Sequence, residues 1–265
     1  MHSSSTSSRP VALVTGASRG IGIELARVFA ERGHDLVVVA RNQADLDRLA
    51  GELRAKHGIN VTVLVYDLTD RSAPGRIFAE LNELGLQVDV LVNNAGFGTW
   101  GPFAETELQA ELELIQVNIE ALTHLTKLFL RPMLARKRGR ILNVASTASF
   151  QPGPIMAVYC ASKAYVLSFT EAVAMEVEGS GVTITALCPG GTVSSFQDRA
   201  DMHEARILKG KLMTAREVAE QGYRATMKGK TIIIPGLMNK VMAQSIRIAP
   251  RRTVAWVAKK ILDRA

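Results

Sequence analysis

Val11-Ala-Leu-Val-Thr15-Gly16-Ala17-Ser18-Arg19-Gly20-Ile21-Gly22 decides the fold. Its first five residues read as a short buried strand, and a glycine-rich turn follows directly. Beyond the turn Ile21, Leu25, Val28 and Phe29 recur at helical spacing. A strand, a glycine turn and a helix start make a phosphate site, because the glycines admit a pyrophosphate to the backbone. The helix N-terminus adds free N–H groups and partial positive charge. The rest of the chain repeats the alternation. Strands are expected near 11–15, 35–40, 61–66, 90–93, 140–145, 182–188 and 231–234, with helices near 21–32, 43–57, 73–84, 107–136, 158–178 and 214–227. Runs such as Leu36-Val-Val-Val-Ala40 are apolar throughout, as in parallel strands buried on both faces. The expected fold is therefore α/β: one doubly wound, Rossmann-type parallel sheet with helices on both faces in a single domain.

Tyr159-Cys160-Ala161-Ser162-Lys163 sets a phenol and an ammonium one helical turn apart, on the same face. A cation beside a tyrosine favours the phenolate and makes the phenol a better proton donor. Lowering a phenol from ~10 to near 7 takes about 4 kcal/mol. A unit charge ~4 Å away supplies about that much at an effective dielectric near 20. The expectation is that Lys163 depresses Tyr159.

Composition narrows the remaining classes. At 265 residues and 47% hydrophobic content the chain suits one α/β domain. No apolar run approaches the ~18 residues of a membrane span, and no secretory leader is legible, so a cytoplasmic location is expected. Two cysteines argue against a disulfide scaffold, Cys160 and Cys188 reading as small core residues, and the five histidines show no metal-ligand spacing. Residues 1–8 are Ser-rich and expected to be disordered, residues 9–235 form the dinucleotide-binding and catalytic domain, and 236–265 extend it.

Taken together these motifs resemble the short-chain dehydrogenase/reductase family over about residues 9–235. The resemblance rests on Thr15-Gly16-x-x-x-Gly20-x-Gly22, Asp67, Asn93-Asn94-Ala95-Gly96, Asn118, Ser146, Tyr159-x-x-x-Lys163 and Pro189-Gly190, in the family's order. It implies hydride transfer between a nicotinamide and a carbonyl or secondary alcohol. Tyr159 would give the proton, Ser146 would bind the reacting oxygen, and Lys163 would hold the nicotinamide ribose. Asn118 would support a water relaying protons through Lys163. Cofactor contacts are implied at Gly16, Ser18, Arg19, Gly20, Ile21, Gly22, Arg41, Asp67, Leu68, Asn94, Ala95, Gly96, Tyr159, Lys163, Pro189, Gly190 and Thr192. Asp67 would take the adenine amine and Thr192 the carboxamide. Gly191-Thr192 follow Pro189-Gly190 directly, where many members delay their threonine.

The choice of nicotinamide is legible after the second strand. Sites that prefer NAD place an acid there for the ribose 2′-OH, whereas this chain reads Val39-Ala40-Arg41-Asn42, and Arg19 stands in the glycine turn. Guanidinium groups suit a 2′-phosphate, so the expected cofactor is NADP(H). Residues 193–213 carry Phe196, Met202, Ile207, Leu208, Leu212 and Met213 among charges, resembling the family's substrate lid and suggesting an apolar substrate. From Arg224 to Ala265 ten Lys/Arg face one acid, a net of +9 in a chain of net +7. Between Leu237 and Leu262, on either side of Pro250, two short amphipathic helices are expected. Their apolar face is expected to pack on the core or a partner subunit, in preference to peripheral contact with an anionic membrane. No nucleic-acid motif accompanies the charge, and a homodimer or homotetramer is expected. Three functions follow: a carbonyl reductase or alcohol dehydrogenase, a β-ketoacyl thioester reductase of lipid metabolism, and a non-catalytic NADP(H)-binding regulator.

Overall fold

β1 (Val11–Thr15), β2 (Asp35–Ala40) and β3 (Val61–Val65) alternate with α1 (Gly20–Glu31), α2 (Gln43–His57) and α3 (Ala73–Glu83). A second half follows with β4 (Val88–Asn93), α4 (Leu108–Ile115), α5 (Leu122–Ala135), β5 (Gly139–Val144), α6 (Ala157–Glu176) and β6 (Val182–Leu187). Then come β7 (Thr192–Val193), β8 (Met213–Thr214), α7 (Ala215–Met227), β9 (Ile232–Ile233), α8 (Leu237–Ser245) and α9 (Arg251–Leu262). This is a computed structural model, and it describes residues 9–193, 202, 212–246 and 248–263. The N-terminal stretch 1–8 and the lid positions Phe196, Ile207 and Leu208 lie outside the described residues.

Seven strands form one sheet in the order β3-β2-β1-β4-β5-β6-β9, every neighbouring pair parallel. The order reverses between β1 and β4, and that switch point opens a crevice at the carboxyl ends of the strands. Alternate strand residues supply the two cores. Ala12, Val14, Leu36 and Val38 meet Leu25 and Phe29 of α1, Leu53 of α2 and Val218 of α7 on one face. Leu13, Val37, Leu91 and Ile141 meet Ile77 of α3 and Leu125 and Phe129 of α5 on the other. Full burial of each Val, Leu, Ile or Phe side chain contributes about 1.5–3 kcal/mol, and continuously apolar strands are what a two-sided sheet demands.

Local signals set the helix ends. Asn42 starts α2 by accepting the Asp45 N–H at 3.0 Å, and Gly58, in a left-handed conformation, ends it. Thr214 and Glu217 form a reciprocal capping box at the start of α7. The helix expected over 107–136 runs without a gap from Leu108 to Ala135, but not as a regular α-helix. A π-helical turn, Gln116–Ala121, separates α4 from α5, with Asn118 inside it. A one-residue excess in a helix is absorbed as such a turn, frequently at functional sites.

Two helices flank Pro250, as the sequence indicates, but their apolar positions divide. Ala243, Val254, Ala258 and Leu262 are buried, whereas Leu237, Met238, Val241, Met242, Ile248, Trp256 and Val257 face outward. The core thus takes part of the apolar face that was expected to pack on the core or a partner subunit, and the remainder is exposed in the single chain. Among the described residues no helix is long and apolar enough to cross a membrane, and no cluster of His, Cys, Asp or Glu could hold a metal.

Candidate active site

At the carboxyl ends of β1, β4, β5 and β6 lies a cleft of about 1120 Å³. All the candidate residues except Asn118 line it, so positions spread from Gly16 to Thr192 meet in one space. Its floor at one end is the glycine turn. Gly16 holds φ +66°, and a side chain at Gly22 would strike the Gly16 carbonyl oxygen at 2.1 Å, so the turn closes only without side chains there. Arg19 precedes α1 in extended conformation and no side chain caps the helix, whose first turn holds no acid. Those N–H groups, aimed at the cleft with the helix dipole behind them, suit an anionic phosphate.

Thr15, at the end of β1, ties the floor to the next strand. Its hydroxyl accepts the N–H groups of Asn94 and Ala95, each at 3.0 Å, and Asn94 Nδ2 donates to the Thr15 carbonyl at 2.9 Å. Asn93 turns the other way, donating to Thr126 Oγ1 and Asn143 Oδ1 in the buried space between β4, β5 and α5.

On the rim, Arg41 approaches Asp67 and Arg19 approaches Asp45, both at 3.5 Å. Both guanidinium groups are more than half exposed, and such pairs contribute ~0–1 kcal/mol. Redirecting either arginine to a ligand therefore costs little. Burial would raise the Asp67 carboxyl, but hydrogen bonds from Thr69 and the Arg41 charge outweigh it and hold the group below its ordinary value.

Ser146, Tyr159 and Lys163 converge beyond β5 because a 3₁₀ turn, Thr147–Phe150, carries the chain back onto α6. Ser146 caps that turn by accepting the Ala148 N–H at 3.1 Å, while its hydroxyl donates to the Pro189 carbonyl at 3.4 Å and also contacts the Tyr159 phenol. Ser149 Oγ donates to the Lys163 carbonyl at 2.7 Å, locking turn to helix. Lys163 Nζ donates to the Val144 carbonyl at 2.9 Å and lies 5.9 Å from the Tyr159 ring centroid. The expected depression of Tyr159 by Lys163 is not what the chain alone produces. Burial pushes the Tyr159 phenol above its usual value, opposed by the Ser146 hydrogen bond, and burial pushes Lys163 down to about 8. The ammonium is aimed at a backbone carbonyl, and both groups have lost water.

Asn118 is set apart from the cleft wall. Its amide donates to the Phe97 carbonyl and Ser162 Oγ, each at 3.0 Å, and its oxygen accepts the Phe97 N–H at 3.1 Å. The side chain is thus occupied in latching the loop after β4. Thr192 Oγ1 donates to the Gly190 carbonyl at 2.9 Å at the cleft edge.

This geometry coincides with a family pattern over most of the chain. Residues 10–205 match the family model for short chain dehydrogenases. The chain belongs to the short-chain dehydrogenase family. It is 37% identical over 177 residues to a very-long-chain 3-oxoacyl-CoA reductase of Phaeosphaeria nodorum, a match covering 65% of this chain and 52% of that protein. It is 35% identical over 178 residues to the ketoacyl reductase HetN of Nostoc sp., covering 67% of this chain and 62% of the relative. The chain thus spans between half and two thirds of the length of these two relatives. A short-chain dehydrogenase from Sphingobium yanoikuyae, solved in complex with NADPH, superposes with a TM-score of 0.81 at 31% identity, covering 92% of this chain and 97% of that one.

Within this short-chain dehydrogenase several contributors were not singled out from sequence. Ser162 is a bridge, its hydroxyl donating to the Tyr159 carbonyl at 2.7 Å while accepting from Asn118. Its place within the Tyr159-to-Lys163 turn was the only available signal. Trp100, Met156, Ile261 and Leu262 also reach the cleft region, and no local pattern marks them, because they come from separate loops and the last helix.

Proposed function

We propose that this short-chain dehydrogenase is an NADP(H)-dependent carbonyl reductase or secondary-alcohol dehydrogenase acting on an apolar small molecule. One observation carries the reading: the hydroxyls of Ser146 and Tyr159 meet at the end of a cleft that begins at the uncapped N-terminus of α1. The cofactor's fit rests on that cradle and on two exposed arginines at the rim that are cheap to redirect toward a 2′-phosphate. When bound, the nicotinamide would supply the hydride; the chain's own residues supply position and a proton.

Reduction leaves negative charge on the substrate oxygen, so a donor must stand beside it. Tyr159 is that donor, and its burial keeps the phenol protonated, the form a reduction consumes. Ser146 offers a second O–H, now spent on a long 3.4 Å contact with Pro189 that a substrate oxygen can replace. Lys163, held by the Val144 carbonyl beneath the cleft, presents its ammonium to the ribose hydroxyls of the cofactor. Asp67 takes the adenine amine, and Thr192 the carboxamide.

A second reading, reduction of a β-ketoacyl thioester, is favoured by the two ketoacyl-type relatives and by the basic tail, which suits an anionic carrier. A non-catalytic NADP(H)-binding regulator is disfavoured by the complete Ser146, Tyr159 and Lys163 set. Leu108, Leu112 and Ile115 make an exposed stripe on α4, with Tyr165 exposed on α6, supporting a homo-oligomer. Two unpaired buried thiols suit a reducing cytoplasm. NADPH consumption against ketones, β-ketoacyl thioesters and steroids, with NADH in parallel, tests the assignment. Turnover of aliphatic or aryl ketones is expected, with NADPH preferred; no turnover of any carbonyl would overturn it.

A further inference from the structure

The C-terminal helix reaches the cleft from outside the region matched by the family model, which ends at residue 205. Val254 and Ala258 bury one stripe of α9 against the domain, and the stripe continues four residues later at Leu262. Ile261 and Leu262 line the main cleft. Leu262 packs with Met156, Cys160 and Met202 in a buried apolar cluster, 7%, 3%, 3% and 5% exposed, against which Trp100, Ile155 and Tyr159 also pack. The last carbonyls of a helix have no partner within it. Here the Leu262 carbonyl accepts the Trp100 indole N–H at 2.8 Å, which pins the end of α9 across the cleft.

We infer that the last turn of α9 is the substrate-side wall of the site, Leu262 and Ile261 setting the size of the apolar group accepted beside the reacting carbonyl. The inference rests on the carbonyl-reductase reading for the substrate, and on packing alone for the wall. Tyr159 touches the cluster, so a substituent on a carbonyl held by its hydroxyl projects toward Leu262. Trp100 positions the wall through its hydrogen bond, while Leu262 provides the surface.

Cys160 reports on the wall without any turnover, since it lines the cleft and is buried in the same cluster as Leu262. Full-length protein, Leu262→Ala and Trp100→Phe would be alkylated with iodoacetamide and followed by peptide mass spectrometry. Buried Cys188, in a separate cluster, serves as internal standard. Both variants should label Cys160 at least tenfold faster with Cys188 unchanged. In parallel, NADPH-dependent reduction of a graded ketone series should show Leu262→Ala shifting relative kcat/KM at least tenfold toward bulkier ketones, with the NADPH Kd unchanged. Unaltered Cys160 labelling in both variants would overturn the wall, as would faster labelling of Cys188 alongside it, which signals general loosening. Faster Cys160 labelling with an unchanged ketone ranking would overturn the role in selection. Wild-type protein that reduces no ketone would overturn the reaction assignment instead, and the Cys160 rates would then decide the wall alone.

Discussion

Tyr159 and Lys163 share one face of α6, yet burial sets their protonation more than either sets the other's. The phenol stays protonated and the ammonium is pushed down to about 8, because both are desolvated and Nζ is turned to the Val144 carbonyl. Removing only the hydroxyl tests the donor role. Tyr159→Phe should bind NADPH normally and lose most turnover; retention of more than about a tenth of kcat would mean the hydroxyl supplies less than ~1.4 kcal/mol of barrier reduction. At the other end of the cleft, Arg41→Asp would set a carboxylate beside Asp67 and at the proposed 2′-phosphate site. Fluorescence titration should show NADPH affinity falling at least tenfold while NADH binding changes little. An equal loss for both cofactors would move the preference to other groups.

Among the elements, the π turn Gln116–Ala121 links helix irregularity to the site. Asn118 sits within it and bonds both backbone groups of Phe97. Asn118→Leu would remove both hydrogen bonds from this side chain to the Phe97 backbone at a buried site, at ~0.5–1.5 kcal/mol each. Thermal unfolding should show a lowered Tm, and kcat should fall along with it because the loop carrying Ala95 and Gly96 loosens. A variant with unchanged Tm would show the latch to be dispensable. The 3₁₀ turn after β5 acts in the same way at shorter range, bringing Ser146 to Tyr159 through the Ser149–Lys163 bond.

For the molecule as a whole, exposed apolar residues on α4 and on the outer side of α8 and α9 do not line the cleft. The α4 stripe of Leu108, Leu112 and Ile115 recurs at helical spacing, and exposed apolar rows of this kind mark interfaces. Light scattering should show the proposed homo-oligomer, with Leu112→Asp lowering its mass without loss of fold; a monomeric wild type would overturn the assembly, and an unchanged mass would place the interface elsewhere. The tail has a different role on its inner side. Deleting residues 237–265 removes Ala243, Val254, Ala258 and Leu262 from buried positions and uncovers Met156 and Cys160. The truncated protein should unfold at lower temperature and aggregate. A soluble truncation with unchanged Tm would show that the tail contributes little to the core.

Local sequence determined the sheet and most of its helices. Strand and helix periods are short-range properties, and strands buried on both faces must be apolar throughout, so β1, β2 and β4 could be read directly. The glycine turn and the Tyr159–Lys163 spacing were equally legible, because each is complete within a few residues. Tertiary structure alone decided what those groups touch. Lys163 turns to Val144, Asn118 to Phe97, and Leu262 crosses the cleft to Trp100 from 162 residues away. Desolvation and long-range packing arise only when distant segments close on one another, and no spacing within the sequence encodes which carbonyl will meet a buried ammonium or an indole N–H.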